Sequence, residues 1–120
     1  MLNLDTQILI HAVRRDLRPA EERLLARNKW SISSIVLWEL AKLVQLERVE
    51  IDLDDTDVTR VLSRLHRWPI DLKVARASTR LDFRSDPADE IIAATSVVHG
   101  VPLLTRDQVI LESKLVPLAT

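Results

Sequence analysis

The sequence has 120 residues and contains no cysteine, which excludes disulfides and zinc–thiolate sites. Glycine occurs once, so there is no glycine-rich loop of the kind that cradles nucleotide phosphates. No apolar run approaches the roughly 20 residues that a membrane-spanning helix needs. The first residues, MLNLDTQ, lack the positive flank and long apolar core of a signal peptide. Together these absences predict a protein of a reducing, cytoplasmic compartment that does not enter a membrane.

The composition is that of a globular domain. Hydrophobic residues make up 47% of the chain and charged residues 29%, and the length favours one domain over residues 1–120. The formal net charge is -1, which provides no strong overall attraction to nucleic acid. Binding to RNA would therefore require a local patch, a metal ion or a partner chain.

Short apolar runs alternate with helical patterns along the chain. This alternation predicts an α/β fold with a parallel sheet. In such sheets, ligands bind beyond the carboxyl ends of the strands. Asp5 and Asp107 each follow an apolar run, which predicts that both lie on the same rim of the molecule. The strands are expected at residues 1–4, 29–32, 68–70, 101–104 and 115–118.

The segment SDPADEIIAATSVVHGVPLLTRD, residues 85–107, has the clearest local pattern. Asp86 is a suitable N-cap, and Pro87 fits the first position of a helix. Gly100 fits the left-handed position that ends a helix. Asp89 therefore lies in the first turn of this helix, and Asp107 lies just beyond the strand that follows it.

Three of the acidic residues have ordinary structural explanations. Asp5 and Asp107 could each cap the helix that follows a strand. Asp89 could interact favourably with the exposed N–H groups and dipole of its helix. Taken singly, none of the three indicates a functional site.

Glu39 is harder to explain by structure alone because its helical neighbours are apolar. A carboxylate on an apolar face needs a partner, since burial of a lone charge is very costly. Lys42 or Lys29 could be that partner. A metal ion shared with the other acids is the alternative.

The four acids carry more information as a set. Two unit charges about 4 Å apart repel by roughly 4 kcal/mol at an effective dielectric constant of about 20. A cluster of carboxylates must therefore take up protons or bind a cation. Hard oxygen ligands without His or Cys select Mg²⁺ or Mn²⁺, which can orient a water for attack on a phosphodiester.

Three segments of the chain match a known family. LNLDTQILIHAV, SISSIVLWELAKL and SDPADEIIAATSVVHGVPLLTRD resemble the successive acidic blocks of PIN-domain ribonucleases, most closely VapC-like toxins of bacterial toxin–antitoxin pairs. The resemblance covers nearly the full length. It implies that Thr105 supports the last acid and that Thr6 follows the first, as the family prefers. It also implies a metal-binding and catalytic set of Asp5, Glu39, Asp89 and Asp107.

The resemblance further implies a three-layer α/β/α sandwich with about five parallel strands in the order 3-2-1-4-5. The expected activity is endonucleolytic cleavage of single-stranded RNA by a water activated by Mg²⁺ or Mn²⁺. The expected partners are the RNA substrate, a second copy of the chain in a homodimer, and a cognate antitoxin. That antitoxin would insert a C-terminal segment into the active-site groove.

Other interpretations remain open at the level of sequence. Arg106 and Arg84 could contact RNA, although a surface arginine is more often simply solvated. A receiver-type signalling domain is also α/β with acids at strand ends, but no lysine follows a strand at the matching place here. A PIN-fold protein without activity could serve only as an interaction module.

Overall fold

The computed structural model describes residues 1–120 and contains one parallel sheet flanked by helices. The strand order is β3-β2-β1-β4, and every neighbouring pair is parallel. The predicted α/β class is therefore confirmed. The strands are β1 (Leu2–Leu4), β2 (Trp30–Ser33), β3 (His66–Trp68) and β4 (Leu103–Leu104).

Most of the helices begin at polar side chains that accept a hydrogen bond from the first turn. Asp5 caps α1, Ser33 caps α3 and Asp107 caps α7 in this way. No helix is both long and apolar enough to cross a membrane. The helices are α1 (Thr6–Arg14), α2 (Pro19–Ala26), α3 (Ser34–Gln45), α4 (Thr56–Arg64), α5 (Leu72–Ser78), α6 (Pro87–His99) and α7 (Gln108–Leu111).

The predicted fifth strand, residues 115–118, is wrong as a full strand. It is reduced to a single parallel bridge between Leu118 and Leu103 of β4. The Leu103 N–H donates to the carbonyl of Pro117 at 2.8 Å, and the Ala119 N–H donates to the carbonyl of Leu103 at 2.9 Å. Pro117 has no N–H of its own, so it cannot extend the ladder. This tail lies beside β4, so the predicted order 3-2-1-4-5 is kept with the last position shortened.

Two further local predictions need correction. The third strand was expected at residues 68–70 and instead ends at Trp68, because Pro69 interrupts its pairing. Asp86 precedes α6, but its side chain makes no capping hydrogen bond. Gly100 does end α6 in the left-handed conformation, at φ 65°.

The apolar core fixes the strands and α6 relative to one another. Ile32 of β2, Ile92 of α6 and Leu103 of β4 are buried in one cluster of side chains. Within it, the amide of Asn3 donates to the carbonyl of Ile92 at 3.3 Å and to the Ser96 hydroxyl at 3.0 Å. These two hydrogen bonds hold β1 against the middle of α6.

Candidate active site

A groove of about 430 Å³ lies at the carboxyl ends of the strands. The four predicted acids all line it, each from a different part of the fold: the ends of β1 and β4, the middle of α3 and the first turn of α6. The structure thus brings Glu39 and Asp89 to the rim on which Asp5 and Asp107 were expected. The lining residues are Asp5, Thr6, Gln7, His11, Glu39, Leu43, Asp86, Asp89, Arg106 and Asp107.

Asp5 is the most deeply placed of these acids, with 6% of its surface exposed. Its Oδ1 accepts the Thr6 N–H at 2.8 Å, and its Oδ2 accepts the Thr105 hydroxyl at 2.6 Å. Burial raises the pKa of Asp5, and the charges of Glu39 and Asp107 raise it further. The two hydrogen bonds oppose this rise but do not cancel it.

Glu39 is held by a hydroxyl group and not by a lysine. The Thr6 hydroxyl donates to Oε1 of Glu39. Of the two lysines considered from the sequence, Lys42 donates to Gln45 at 3.0 Å and Lys29 lines a different cavity. Burial raises the pKa of Glu39, and nearby carboxylates add to the rise. Thr6 therefore connects two of the acids. Its backbone N–H donates to Asp5 and its hydroxyl donates to Glu39.

Asp89 is held by the residues that lead into α6. The Ser85 hydroxyl donates to its Oδ2 at 3.0 Å. Burial raises the pKa of Asp89, and the charges of Asp5, Asp107 and Asp86 raise it further. Asp86, at the N-cap position of α6, also lines the groove and adds to its negative charge.

Thr105 has a wider structural role than the resemblance implied. Its hydroxyl oxygen accepts the Asp107 N–H at 3.0 Å while the same hydroxyl donates to Asp5. The side chain of Asp107 in turn accepts the Val109 N–H at 2.9 Å and starts α7. One buried hydroxyl therefore fixes the positions of two of the acids.

The donor set of the groove is suited to a hard divalent cation. The predicted acids make no ion pair with Lys, Arg or His, and the pKa values of three of them are raised. Their ligand atoms are all oxygen, as Mg²⁺ and Mn²⁺ prefer. No three His, Cys, Asp or Glu side chains, however, are arranged to hold a metal ion. The acids line one groove but do not converge on a single point, so a metal ion shared by them remains a prediction.

The family model for the PIN domain matches residues 3–113. The chain belongs to the PIN domain family. The resemblance inferred from the three acidic blocks is thereby confirmed, and the receiver-type interpretation is set aside. Among curated proteins, none matches this PIN domain in sequence.

Solved structures share the fold along nearly the whole chain. VapBC2 from Rickettsia felis, bound to a DNA fragment from its promoter, is 21% identical, with a TM-score of 0.72 over 99% of this chain and 98% of that one. DNA-bound VapBC from Salmonella typhimurium is 21% identical, with a TM-score of 0.70 and the same coverage. FitAcB from Neisseria gonorrhoeae is 22% identical, with a TM-score of 0.69 over 100% and 97% of the two chains. At these identities the likeness establishes the fold.

Of the two arginines proposed to contact RNA, only Arg106 lines the groove of this PIN domain. Its Nε and Nη2 donate to the two carboxylate oxygens of Glu21 at 2.8 and 2.6 Å. Glu21 also accepts the Arg18 N–H at 2.8 Å, which orders the start of α2. Arg84 is exposed and lines a neighbouring concavity instead.

Sequence reasoning missed both Glu21 and His11. Nε2 of His11 lies 3.1 Å from Nη1 of Arg106, so it accepts, and Nδ1 carries the ring proton toward Asp16 at 2.7 Å. Glu21 is 85 residues from Arg106, and no local pattern signals that pair. His11 had a usable signal, because it lies four residues after Gln7 on the face of α1 that lines the groove.

Arg106→Ala is expected to lower the free energy of unfolding by about 1–3 kcal/mol at pH 7, because it leaves the buried Glu21 carboxylate without a cation. Hydrogen bonds from Arg106 are the main cause of the lowered pKa of Glu21. The stabilisation is therefore present above the ordinary value of 4.5 and is lost as pH falls through the lowered pKa. Urea unfolding at several pH values measures both effects.

Arg60→Ala is the matched control for this measurement. It breaks an exposed pair with Asp57 at 3.4 Å and should cost less than about 0.5 kcal/mol. Equal losses in the two variants, or a loss at Arg106 that does not shrink in acid, would contradict the assigned role of the pair.

Proposed function

We propose that this PIN domain is a metal-dependent endoribonuclease that cleaves single-stranded regions of RNA. The observation that carries the proposal is the groove at the carboxyl end of the sheet. It gathers four carboxylates from distant segments, and none of them has a basic partner. Folding such a cluster without a cation is unfavourable, which supports a function that depends on the cluster.

Asp5, Glu39, Asp89 and Asp107 would hold the ion. Mg²⁺ or Mn²⁺, when bound, supplies a Lewis acid and an activated water for phosphodiester hydrolysis. The hydroxyls of Thr6 and Thr105 keep the acids oriented before substrate arrives, so little reorganisation is needed during the reaction.

Glu39 is the acid best suited to position the attacking water and take its proton. Oε1 is occupied by the Thr6 hydroxyl, which leaves Oε2 available as the acceptor. Asp5, by contrast, has hydrogen bonds at both oxygens and is better placed to hold the ion than to move protons.

A cleavage assay with controlled metal tests the proposal. The purified protein should cut single-stranded RNA at internal positions when Mg²⁺ or Mn²⁺ is added. Excess chelator should remove the activity, and added Mg²⁺ should restore it, because the carboxylates need the ion to act on a phosphodiester. The products are resolved on a denaturing gel. Metal-independent cleavage would contradict the mechanism, and no cleavage under any metal would favour the inactive PIN-fold module.

We further propose that the protein is the toxin of a type II toxin–antitoxin pair and forms a homodimer. The similar solved structures include a toxin–antitoxin complex from Klebsiella pneumoniae and the VapBC structures described above, which supports a partner protein of that class. Exposed apolar side chains such as Trp38, at 56% exposed, and Leu72, at 66%, are available for association. A monomer by light scattering would contradict the dimer. Unchanged cleavage with the cognate small protein added would contradict the antitoxin.

A further inference from the structure

A basic segment lies beside the acidic groove. Residues 72–84, which form α5 and the turn after it, contain four basic residues and one acid, although the whole chain has a net charge of -1. All four basic side chains are exposed, and none takes part in an ion pair. They are Lys73, Arg76, Arg80 and Arg84.

Three of these side chains share one concavity of about 300 Å³. Lys73, Arg76 and Arg80 line it together with apolar side chains that include Val97 of α6 and Leu115 of the tail. No carboxylate lines it. The one acid of the segment, Asp82, is engaged elsewhere, because it accepts the Ser113 hydroxyl at 2.6 Å and the Lys114 N–H at 2.8 Å.

This surface leads to the acidic groove. Leu81 lines both the first concavity and a second one of about 390 Å³, which is also lined by Phe83, Arg84 and the carboxylate of Glu90. The next residue, Ser85, donates its hydroxyl to Asp89 in the groove. We call this surface, from Lys73 through Arg84, the basic strip. Its last residue, Arg84, directly precedes Ser85 in the sequence, so the strip adjoins the groove.

We propose that the basic strip binds the sugar–phosphate backbone of the RNA strand on one side of the bond that is cut. The inference rests on the proposed function of the acidic groove. A groove lined by five carboxylates repels a polyanion, so the affinity for RNA must come from a cationic surface beside it. Phe83 also lines the second concavity, but its partly buried ring packs against the core, so the strip acts through its charges.

An acidic protein segment is the competing occupant. RNA is favoured because the strip ends at the groove in which the strand would be cut. Lys73 and Arg76 lie three residues apart on one face of α5, and Arg80 follows two residues after the helix ends. A row of separate cations matches the regular charge of a phosphate backbone and is indifferent to its sequence.

The triple variant K73Q/R76Q/R80Q tests the proposal. Removal of three phosphate contacts should weaken binding of a mixed-sequence RNA of about 20 nucleotides by roughly 10- to 100-fold near 0.1 M salt. The slope of log affinity against log salt should become shallower by about 2. In cleavage assays KM should rise while kcat is kept. A tetranucleotide confined to the groove should be cut as efficiently as by the parent protein.

The matched control is R23Q/R27Q/R48Q. It removes the same charge from exposed positions that lie outside the acidic groove and outside both concavities of the basic strip. Melting temperatures establish that both variants fold. The proposal is overturned if both variants bind the long RNA equally, or if the tetranucleotide is affected as much as the long strand. It is also overturned if only binding of an acidic protein segment weakens. Absence of cleavage by the parent protein would instead contradict the proposed function.

Discussion

Asp5→Asn is expected to abolish RNA cleavage, lowering the rate by about 1,000-fold or more, without unfolding the protein. The substitution keeps the shape of the side chain and removes the charge at the deepest point of the groove, where the ion would bind. The amide oxygen can still accept the Thr6 N–H, and the Thr105 hydroxyl can rotate to accept a hydrogen bond from the amide NH2. Cleavage rates at saturating Mg²⁺ measure the loss.

We expect Asp5→Asn to be at least as stable as the parent protein at pH 7, although its activity is lost. The pKa of Asp5 in the folded protein lies above 3.8, so the folded state holds the proton more tightly than the unfolded chain. Without metal, stability therefore increases as pH falls through the folded pKa toward 3.8, and the ionised group destabilises the fold at pH 7. Asp5→Asn should show an equal or higher melting temperature at pH 7 and a weaker pH dependence in that window.

Added Mg²⁺ separates the two effects. It should raise the melting temperature of the parent protein, because a ligand that binds only the folded state stabilises it, and should raise that of Asp5→Asn much less. A variant that is inactive because it is unfolded would disprove the assignment of Asp5. So would one that cleaves RNA at the parent rate.

Thr105→Val is expected to lower cleavage by about 10- to 100-fold, although the side chain touches neither the substrate nor the ion. Valine has the same shape but leaves Asp5 without a donor and the Asp107 N–H without an acceptor. Two polar groups are then unsatisfied near the base of the groove, at a cost of about 2 kcal/mol in unfolding free energy. Enzyme kinetics and urea unfolding measure the two consequences.

Two further variants distinguish positioning from simple loss of a buried hydroxyl. Thr95→Val removes a buried hydroxyl that donates only to the Ile91 carbonyl in α6, and it should leave cleavage near the parent rate. Thr105→Ser keeps the hydroxyl and should restore most of the activity. If Thr95→Val and Thr105→Val lost activity equally, the positioning role of Thr105 would be refuted.

The sequence was most informative where function depends on topology. Asp5 and Asp107 could be placed on one rim because parallel strands bring their carboxyl ends to the same edge. Asp89 followed from the Pro and Gly residues that bound α6. Glu39 could be singled out because its helical neighbours are apolar and only Lys42 or Lys29 could have paired with it.

The sequence was least informative where contacts join distant segments. The pairing of Arg106 with Glu21 depends on how the end of β4 meets the start of α2, and no local periodicity encodes it. Thr105 was expected to support Asp107, but its bond to Asp5 depends on β1 and β4 being neighbours in the sheet. Asp86 had the right position for a cap, yet its charge contributes to the groove.

The tail that replaces a full fifth strand also affects the catalytic rim. Only two backbone hydrogen bonds, both to Leu103, join residues 117–119 to β4. The tail is also anchored by Val116, which is buried in the core, so its detachment would expose apolar surface as well as break these two bonds. Detachment of the tail would expose one edge of β4, the two-residue strand that precedes Thr105 and Asp107. The outermost residues of the sheet therefore protect the edge of the strand that leads into the acidic rim, and a ligand that bound the tail would act on the position of Asp107 in the groove.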